Sequence, residues 1–166
     1  MQAQSKQRQI DTLVIGSGVA GLFFALKAAE HGEVLMITKA NRENSNTRWA
    51  QGGIAGVVSD EDSLEAHVQD TLVAGDGLCK EHIVRMVVSE GPERIRELME
   101  WGAEFDRAKD GELLLAKEGG HSAHRILHHA DATGAEIVRA LVKAVAEHPR
   151  IEVVEHLFAI DLLTEH

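Results

Sequence analysis

Asp11-Thr12-Leu13-Val14-Ile15-Gly16-Ser17-Gly18-Val19-Ala20-Gly21 is the stretch that decides the fold. Its first five residues are a short, mostly apolar run, the pattern of a parallel strand covered on both faces. Gly16 to Gly21 then spells G-x-G-x-x-G. In such a turn the first glycine permits a tight reversal, the second lets the backbone approach a pyrophosphate, and the third lets helix and strand pack closely. Across residues 18–31, Ala20, Leu22, Phe23, Ala25, Leu26 and Ala29 suit a helix lying on a sheet, and Gly32 stands where that helix would end. Residues 33–37 read as a second apolar strand. Strand, turn, helix and strand make a βαβ unit. That is the context in which the glycine motif marks a dinucleotide site, with the diphosphate on free N–H groups at the positive end of the helix.

The second strand closes with Met36-Ile37-Thr38-Lys39 and carries no carboxylate. Ordinary NAD binding uses an acid there for the ribose hydroxyls, so NAD is disfavoured. Lys39 suits either a 2′-phosphate or a flavin family in which Ser/Thr-Lys ends this strand. A polar loop follows, Asn46-Thr47-Arg48-Trp49-Ala50-Gln51-Gly52-Gly53-Ile54-Ala55. Gly52 and Gly53 would let backbone N–H groups reach the polar edge of a flat ring, or they mark an ordinary bulged loop.

Further along, residues 52–58 read as extended. Asp62-Ser63-Leu64-Glu65 is a capping-box pattern opening a helix to about Ala74. A longer helix is expected over residues 80–101, with Ile83, Val84, Val87, Ile95 and Leu98 on its apolar side and a kink or split at Pro92. Residues 104–116 read as short strands about Lys109-Asp110-Gly111, and residues 117–131 as irregular. Residues 133–148 read as a helix, residues 151–154 as a strand, and residues 158–163 as a further extended segment. Residues 1–9 read as a disordered polar tail.

The chain has 166 residues, enough for one domain or one domain and part of another. Its net charge of −10 disfavours nucleic acid and anionic lipid, which need a basic face. No apolar run is long enough to span a membrane, and residues 1–9 show no targeting pattern. A single cysteine, Cys79, fits a reducing cytoplasm and a buried, hydrophobe-like role. His121, His124, His128 and His129 lack a helical frame and a cysteine partner, so no metal site is expected.

The glycine turn, the Thr38-Lys39 ending and the Asn46–Gly53 loop together resemble the succinate dehydrogenase/fumarate reductase flavoprotein superfamily. Within it, the stretch Glu118-Gly119-Gly120-His121-Ser122-Ala123-His124-Arg125-Ile126-Leu127-His128-His129-Ala130-Asp131-Ala132-Thr133-Gly134 is similar to the aspartate oxidase family, as is the run Asp70-Thr71-Leu72 with Ala74-Gly75. The resemblance covers about residues 10–163. It implies an α/β, Rossmann-like FAD-binding domain with a parallel sheet, here residues 10–166, ending before the family's capping domain.

The resemblance also implies site roles. Gly16, Ser17, Gly18, Val19, Ala20 and Gly21 would meet the FAD diphosphate, and Thr38 and Lys39 the adenosine ribose. Asn46, Thr47, Arg48, Trp49, Ala50, Gln51, Gly52 and Gly53 would wrap the diphosphate and flavin edge. Phe158 and Ala159 would meet the adenine. Respiratory relatives carry a flavin-linked histidine where Asn46 stands, so FAD is expected to be non-covalent. Asn46 also departs from the Ser expected in aspartate oxidases, and Arg48-Trp49 from their aromatic pair.

The implied reaction oxidises L-aspartate to iminoaspartate for quinolinate and NAD synthesis, with oxygen or fumarate as acceptor and quinolinate synthase as a candidate partner. Glu118 would favour the substrate ammonium that succinate lacks. His121 and Ser122 are candidates to hold a substrate carboxylate or line the flavin. Arg125 is a candidate for the same, or for pairing with an acid such as Asp131. Asp131 and Thr133 are expected to cap the helix near Gly134. The family's catalytic arginine has no counterpart in these residues, so this chain alone is expected to bind FAD weakly and to show little or no oxidase activity. Alternative readings are a fumarate reductase or succinate dehydrogenase paralogue, or an inactive nucleotide-binding module with an open sheet edge.

Overall fold

The computed structural model describes residues 7–164. In chain order its elements are β1 (Thr12–Ile15), α1 (Val19–Ala28), β2 (Val34–Ile37), a 3₁₀ turn (Asn46–Trp49), β3 (Ile54–Ala55), α2 (Leu64–Ala74), α3 (Glu81–Glu100), β4 (Leu115–Ala116), β5 (Ile126–Leu127), α4 (Thr133–Glu147) and β6 (Ile151–Val154). They form two compact units: Met1–Asn46 with Leu141–His166, and Thr47–Ala140.

The first unit holds a parallel sheet in the order β1-β2-β6. Thr12 pairs with Val34, and Val34 in turn with Ile151. Parallel pairing sets the carboxyl ends of all three strands along one edge, where open α/β sheets bind ligands. Leu22, Ala25 and Ala29 are fully buried, one per helical turn, giving α1 a continuous apolar stripe. Val14 faces α1, but Leu13 and Ile15 on the opposite face of β1 are about half exposed. The expected two-sided burial is therefore corrected: along a strand successive side chains alternate, and α1 covers one face. α1 also ends at Ala28, four residues before Gly32. Gly32 instead keeps room for Asp11, whose carboxylate accepts the Glu33 N–H at 2.8 Å.

Of the proposed tail, residues 1–6 lie outside the described residues. Residues 7–10 have no regular structure, though Arg8 forms a double ion pair with Glu152. The extended segment expected at 158–163 forms no strand. Among the described residues the Leu162 N–H bonds only the neighbouring Asp161 carboxylate, at 2.8 Å, and Ile160 and Leu163 are almost fully exposed.

The second unit holds a small antiparallel sheet, β3-β5-β4, and the helices α2 and α3, which pack on each other. Val68, Val84 and Val88 form the helix interface, and half-buried Cys79 packs beside them. Three expectations change here. Ser63, not Asp62, caps α2: its hydroxyl accepts the Ala66 N–H at 3.1 Å, while Asp62 is occupied by Arg125. α3 runs unbroken through Pro92, and its buried stripe is Val84, Val88, Ile95 and Leu98, with Ile83 and Val87 exposed. The short strands expected over residues 104–116 are present as the bridge Arg107–Leu113 and as β4, and β5 forms inside the stretch expected to be irregular.

Candidate functional site

In the first unit the glycine turn sits at the carboxyl end of β1. Gly16 adopts φ +104°, open to glycine at no cost, and its N–H bonds the Ile37 carbonyl of β2 at 2.8 Å. Gly21 lies so close to the turn that a Cβ there would stand 2.1 Å from the Gly16 carbonyl oxygen. The buried Ser17 hydroxyl donates to the Thr38 hydroxyl at 3.1 Å, tying the turn to the end of β2. Thr38 N–H in turn bonds Val154 of β6, and Leu157 N–H bonds the Thr38 carbonyl. Lys39 is exposed at the same strand end; Phe158 is largely exposed and Ala159 half-buried.

The start of α1 differs from those of the other helices. Gly18 caps it with extended backbone and no side-chain bond, and its first turn holds no acid. α2, α3 and α4 carry Glu65, Glu81 and Glu136 in their first turns. An acid there would satisfy the helix dipole internally and repel an anion; α1 leaves that field for a ligand. Ser45 supplies a second sign. Its hydroxyl oxygen is buried without a hydrogen-bond partner among the described residues, a condition a bound polar group would relieve. The residues of this unit therefore fit a dinucleotide diphosphate.

In the second unit, Thr47–Trp49 form most of the 3₁₀ turn, and Ala50 N–H closes on the Thr47 carbonyl at 3.1 Å. Gly134 N–H bonds the Ala50 carbonyl, and a Cβ on Gly134 would lie 1.9 Å from the Thr47 oxygen. Only glycine lets the start of α4 approach this loop. Gly53 is held the same way against Ile126 and Leu127, whereas Gly52 opens onto empty space. Trp49, Gln51 and Gly52 are exposed, as is Asn46 at the end of the first unit.

Glu118 opens a turn closed by the His121 N–H to the Glu118 carbonyl at 3.2 Å. Gly120 at φ +84° gives it type II character. Glu118 is exposed; His121 is half-buried. Behind this turn lies a buried ionic cluster. Arg125 is fully buried and forks onto Asp62, with Nε and Nη2 each donating at 2.7 Å, while Nη1 donates to Asp70 at 2.5 Å. Asp70 also accepts from the Ser122 N–H at 2.7 Å and the Ser122 hydroxyl at 2.8 Å. The pairing of Arg125 with Asp131 is thus corrected. Asp131 is exposed, and Asp62 and Asp70 already offset the guanidinium, so Arg125 is no free anchor for a substrate carboxylate. The Thr133 hydroxyl accepts the His129 N–H and does not cap α4 from outside. The histidines diverge: His124 bonds the Leu115 carbonyl, His128 pairs with Asp106, and His129 bonds the Glu104 carbonyl.

Sequence reading missed Ser45, Asp62 and His67. His67 and Asp70 stand three apart on α2, which puts them on one face, and that spacing was the available signal. His67 is buried, its Nδ1 has no hydrogen-bond partner among the described residues, and its ring lies 5.7 Å from that of His121.

These groups set an acid limit. The Ser122 N–H and Arg125 hold Asp70 down at about 2, and Arg125 holds Asp62 below its ordinary value. Burial, then the Arg125 charge, lowers His67. A depressed carboxylate stabilises the fold above its unfolded pKa and loses that contribution as pH falls through the folded one. A depressed histidine likewise loses stability below its unfolded value, because the unfolded state then binds the extra proton. Stability should fall in two stages, below about pH 6.5 and then between about pH 4 and 2. Urea midpoints against pH should show both; His67→Gln should flatten the first and Asp70→Asn weaken the second.

Comparison with known proteins adds three findings. The family model described as "FAD binding domain" matches residues 11–166. The chain is 57% identical over 163 residues to L-aspartate oxidase 2-a, chloroplastic, of Nicotiana tabacum, covering 98% of this chain and 25% of that protein. It is 45% identical to L-aspartate oxidase of Vibrio cholerae, covering 96% and 31%. Among solved structures, a quinol-fumarate reductase with menaquinol molecules aligns with a TM-score of 0.90 at 32% identity, over 97% of this chain and 28% of that one. The Sdh1 complex of Mycobacterium smegmatis in the apo form aligns at 0.80 and 34%, over 89% and 27%.

Proposed function

This chain belongs to the FAD-binding domain family, and on that premise we propose that it is the N-terminal cofactor-binding portion of an L-aspartate oxidase. It spans about a quarter of the length of the plant relatives it matches. The single observation that carries the cofactor reading is the glycine-capped, acid-free start of α1 over the Gly16–Gly21 turn. The substrate reading is supported by relatives named L-aspartate oxidase in plants and bacteria, 45–57% identical over nearly the whole chain.

In this reading the N–H groups at the start of α1 and the Ser17 and Ser45 region hold the diphosphate. Thr38 and Lys39 flank the ribose, the loop from Asn46 to Gly53 meets the diphosphate and flavin edge, and Phe158 and Ala159 meet the adenine. Bound non-covalently, FAD supplies a two-electron acceptor: L-aspartate gives up a hydride and a proton and becomes iminoaspartate. The chain's own part is to orient. Glu118, exposed on a rigid turn, pairs with the substrate ammonium, and His121 meets a carboxylate. Oxygen or fumarate takes the electrons onward, and quinolinate synthase is the candidate partner that uses the product. Among the described residues no helix is long and apolar enough to cross a membrane. The location we propose is cytoplasmic, although the plant relatives are named chloroplastic.

The likeness to a quinol-fumarate reductase favours a second reading, a succinate- or fumarate-directed flavoprotein. Turnover separates the two. A full-length polypeptide carrying this segment should oxidise L-aspartate in preference to succinate. Glu118→Gln should lower kcat/KM for aspartate about 10- to 100-fold, the worth of one hydrogen bond to a charged group, and leave succinate nearly unchanged. An unaltered preference removes Glu118 from its role, and a wild-type preference for succinate removes the oxidase reading.

A further inference from the structure

We propose that Arg125, held by Asp62 and Asp70, is a positioning residue that fixes His121 as an Nε2–H donor, so that His121 meets the substrate as a neutral hydrogen-bond donor and not as a base at Nδ1. The step that involves substrate rests on the oxidase reading; the tautomer does not.

Arg125 Nη1 lies 3.2 Å from His121 Nδ1. A guanidinium has five N–H donors, no acceptor, and stays protonated at any relevant pH. The contact is a hydrogen bond only if Nδ1 carries the lone pair, which places the ring proton on Nε2. The guanidinium cannot swing away from this duty. Both oxygens of Asp62 and one of Asp70 grip it, and it is fully buried. The aspartates are fixed in turn: Asp62 accepts the Ser63 N–H at the start of α2, and Asp70 accepts both the N–H and the hydroxyl of Ser122, the residue after His121. The clamp therefore holds the turn from both sides of His121, by its ring and by the following residue.

The charge balance supports the same role. One guanidinium between two carboxylates leaves no surplus positive charge for an incoming dicarboxylate. Recognition at this turn thus falls to the donor that the clamp orients. His67, whose ring neighbours that of His121, is disfavoured as a cation by burial.

Proton–nitrogen correlation spectra of the chain labelled with ¹⁵N-histidine test the tautomer directly. His121 should show a bare Nδ1 and a protonated Nε2; an Nδ1–H tautomer, or rapid averaging of the two, overturns the proposal. Arg125→Lys should release the fixed tautomer, and a folded variant that keeps it overturns the clamp. Where that variant does not fold, the wild-type spectrum still decides. In the full-length oxidase, His121→Gln keeps an amide donor near the Nε2 position, whereas His121→Asn moves it toward Nδ1. Gln should retain kcat/KM within about 10-fold and Asn should lose about 100-fold, one and two hydrogen-bond equivalents respectively. Equal losses sink the donor role. A wild-type enzyme inert toward aspartate ends the oxidase reading and leaves the tautomer to the spectrum.

Discussion

Arg125→Met should cost the unit Thr47–Ala140 about 3–5 kcal/mol, a large share of the roughly 5–15 kcal/mol that holds an ordinary domain folded. The substitution nearly conserves length and removes the charge. Asp62, 2% exposed at its side chain, is then left as an uncompensated buried carboxylate, and Asp70 keeps only Ser122. The penalty is mostly the stranded acids and not the loss of a favourable ion pair. Two consequences distinguish that account from simple loss of packing. First, the variant's stability should rise as pH falls from about 7 to 5, because a buried acid with no partner prefers its proton; wild type moves the opposite way. Second, replacing Asp62 and Asp70 by Leu in the same chain should restore most of the loss, since a buried charge cluster exchanged for apolar groups is often close to neutral. Both tryptophans, Trp49 and Trp101, lie in this unit, so urea unfolding followed by their fluorescence reports on it. Should the triple replacement prove no more stable than Arg125→Met, the stranded-charge explanation is wrong.

The same cluster shows where sequence reading stops. A G-x-G-x-x-G turn is legible because its requirements are local: a strand just before it, a helix just after, and glycines where backbone meets backbone. The parallel unit of β1, α1 and β2 was readable for that reason. Arg125 was not. Its partners lie 63 and 55 positions earlier, and the nearest acid in the chain's order, Asp131, drew the assignment instead. Asp62 was misread by the same logic, as a helix cap, because its actual demand came from across the fold while Ser63 beside it served the cap. Strands of two residues such as β3 and β5 leave no period to detect; they exist because Gly53 admits the backbone of Leu127 at close range. Apolar residues at 158–163 looked like a strand because hydrophobicity alone does not report whether a pairing partner is present.

Gly21→Val should abolish FAD binding by this chain, with affinity falling at least about 100-fold, or ~2.7 kcal/mol. The argument is steric. A Cβ at residue 21 would lie 2.1 Å from the Gly16 carbonyl oxygen and 3.1 Å from its carbon, both backbone atoms of the turn itself. No rotamer relieves a clash made by Cβ, so α1 must retreat from β1 or the turn must open, and either displaces the N–H groups that the diphosphate needs. Gly16→Ala makes the contrasting case. A Cβ there meets nothing within 4 Å, and the only obstacle is the φ of +104°. That strain costs on the order of 1–3 kcal/mol of fold stability but leaves the helix where it is. The two glycines should therefore separate: Gly16→Ala lowers the urea midpoint with FAD affinity largely kept, and Gly21→Val loses FAD even where circular dichroism shows the helices intact. Flavin fluorescence titrated with each protein measures the affinities. If Gly21→Val binds FAD as wild type does, the diphosphate is not held at this turn, and the placement of the cofactor on α1 has to be abandoned.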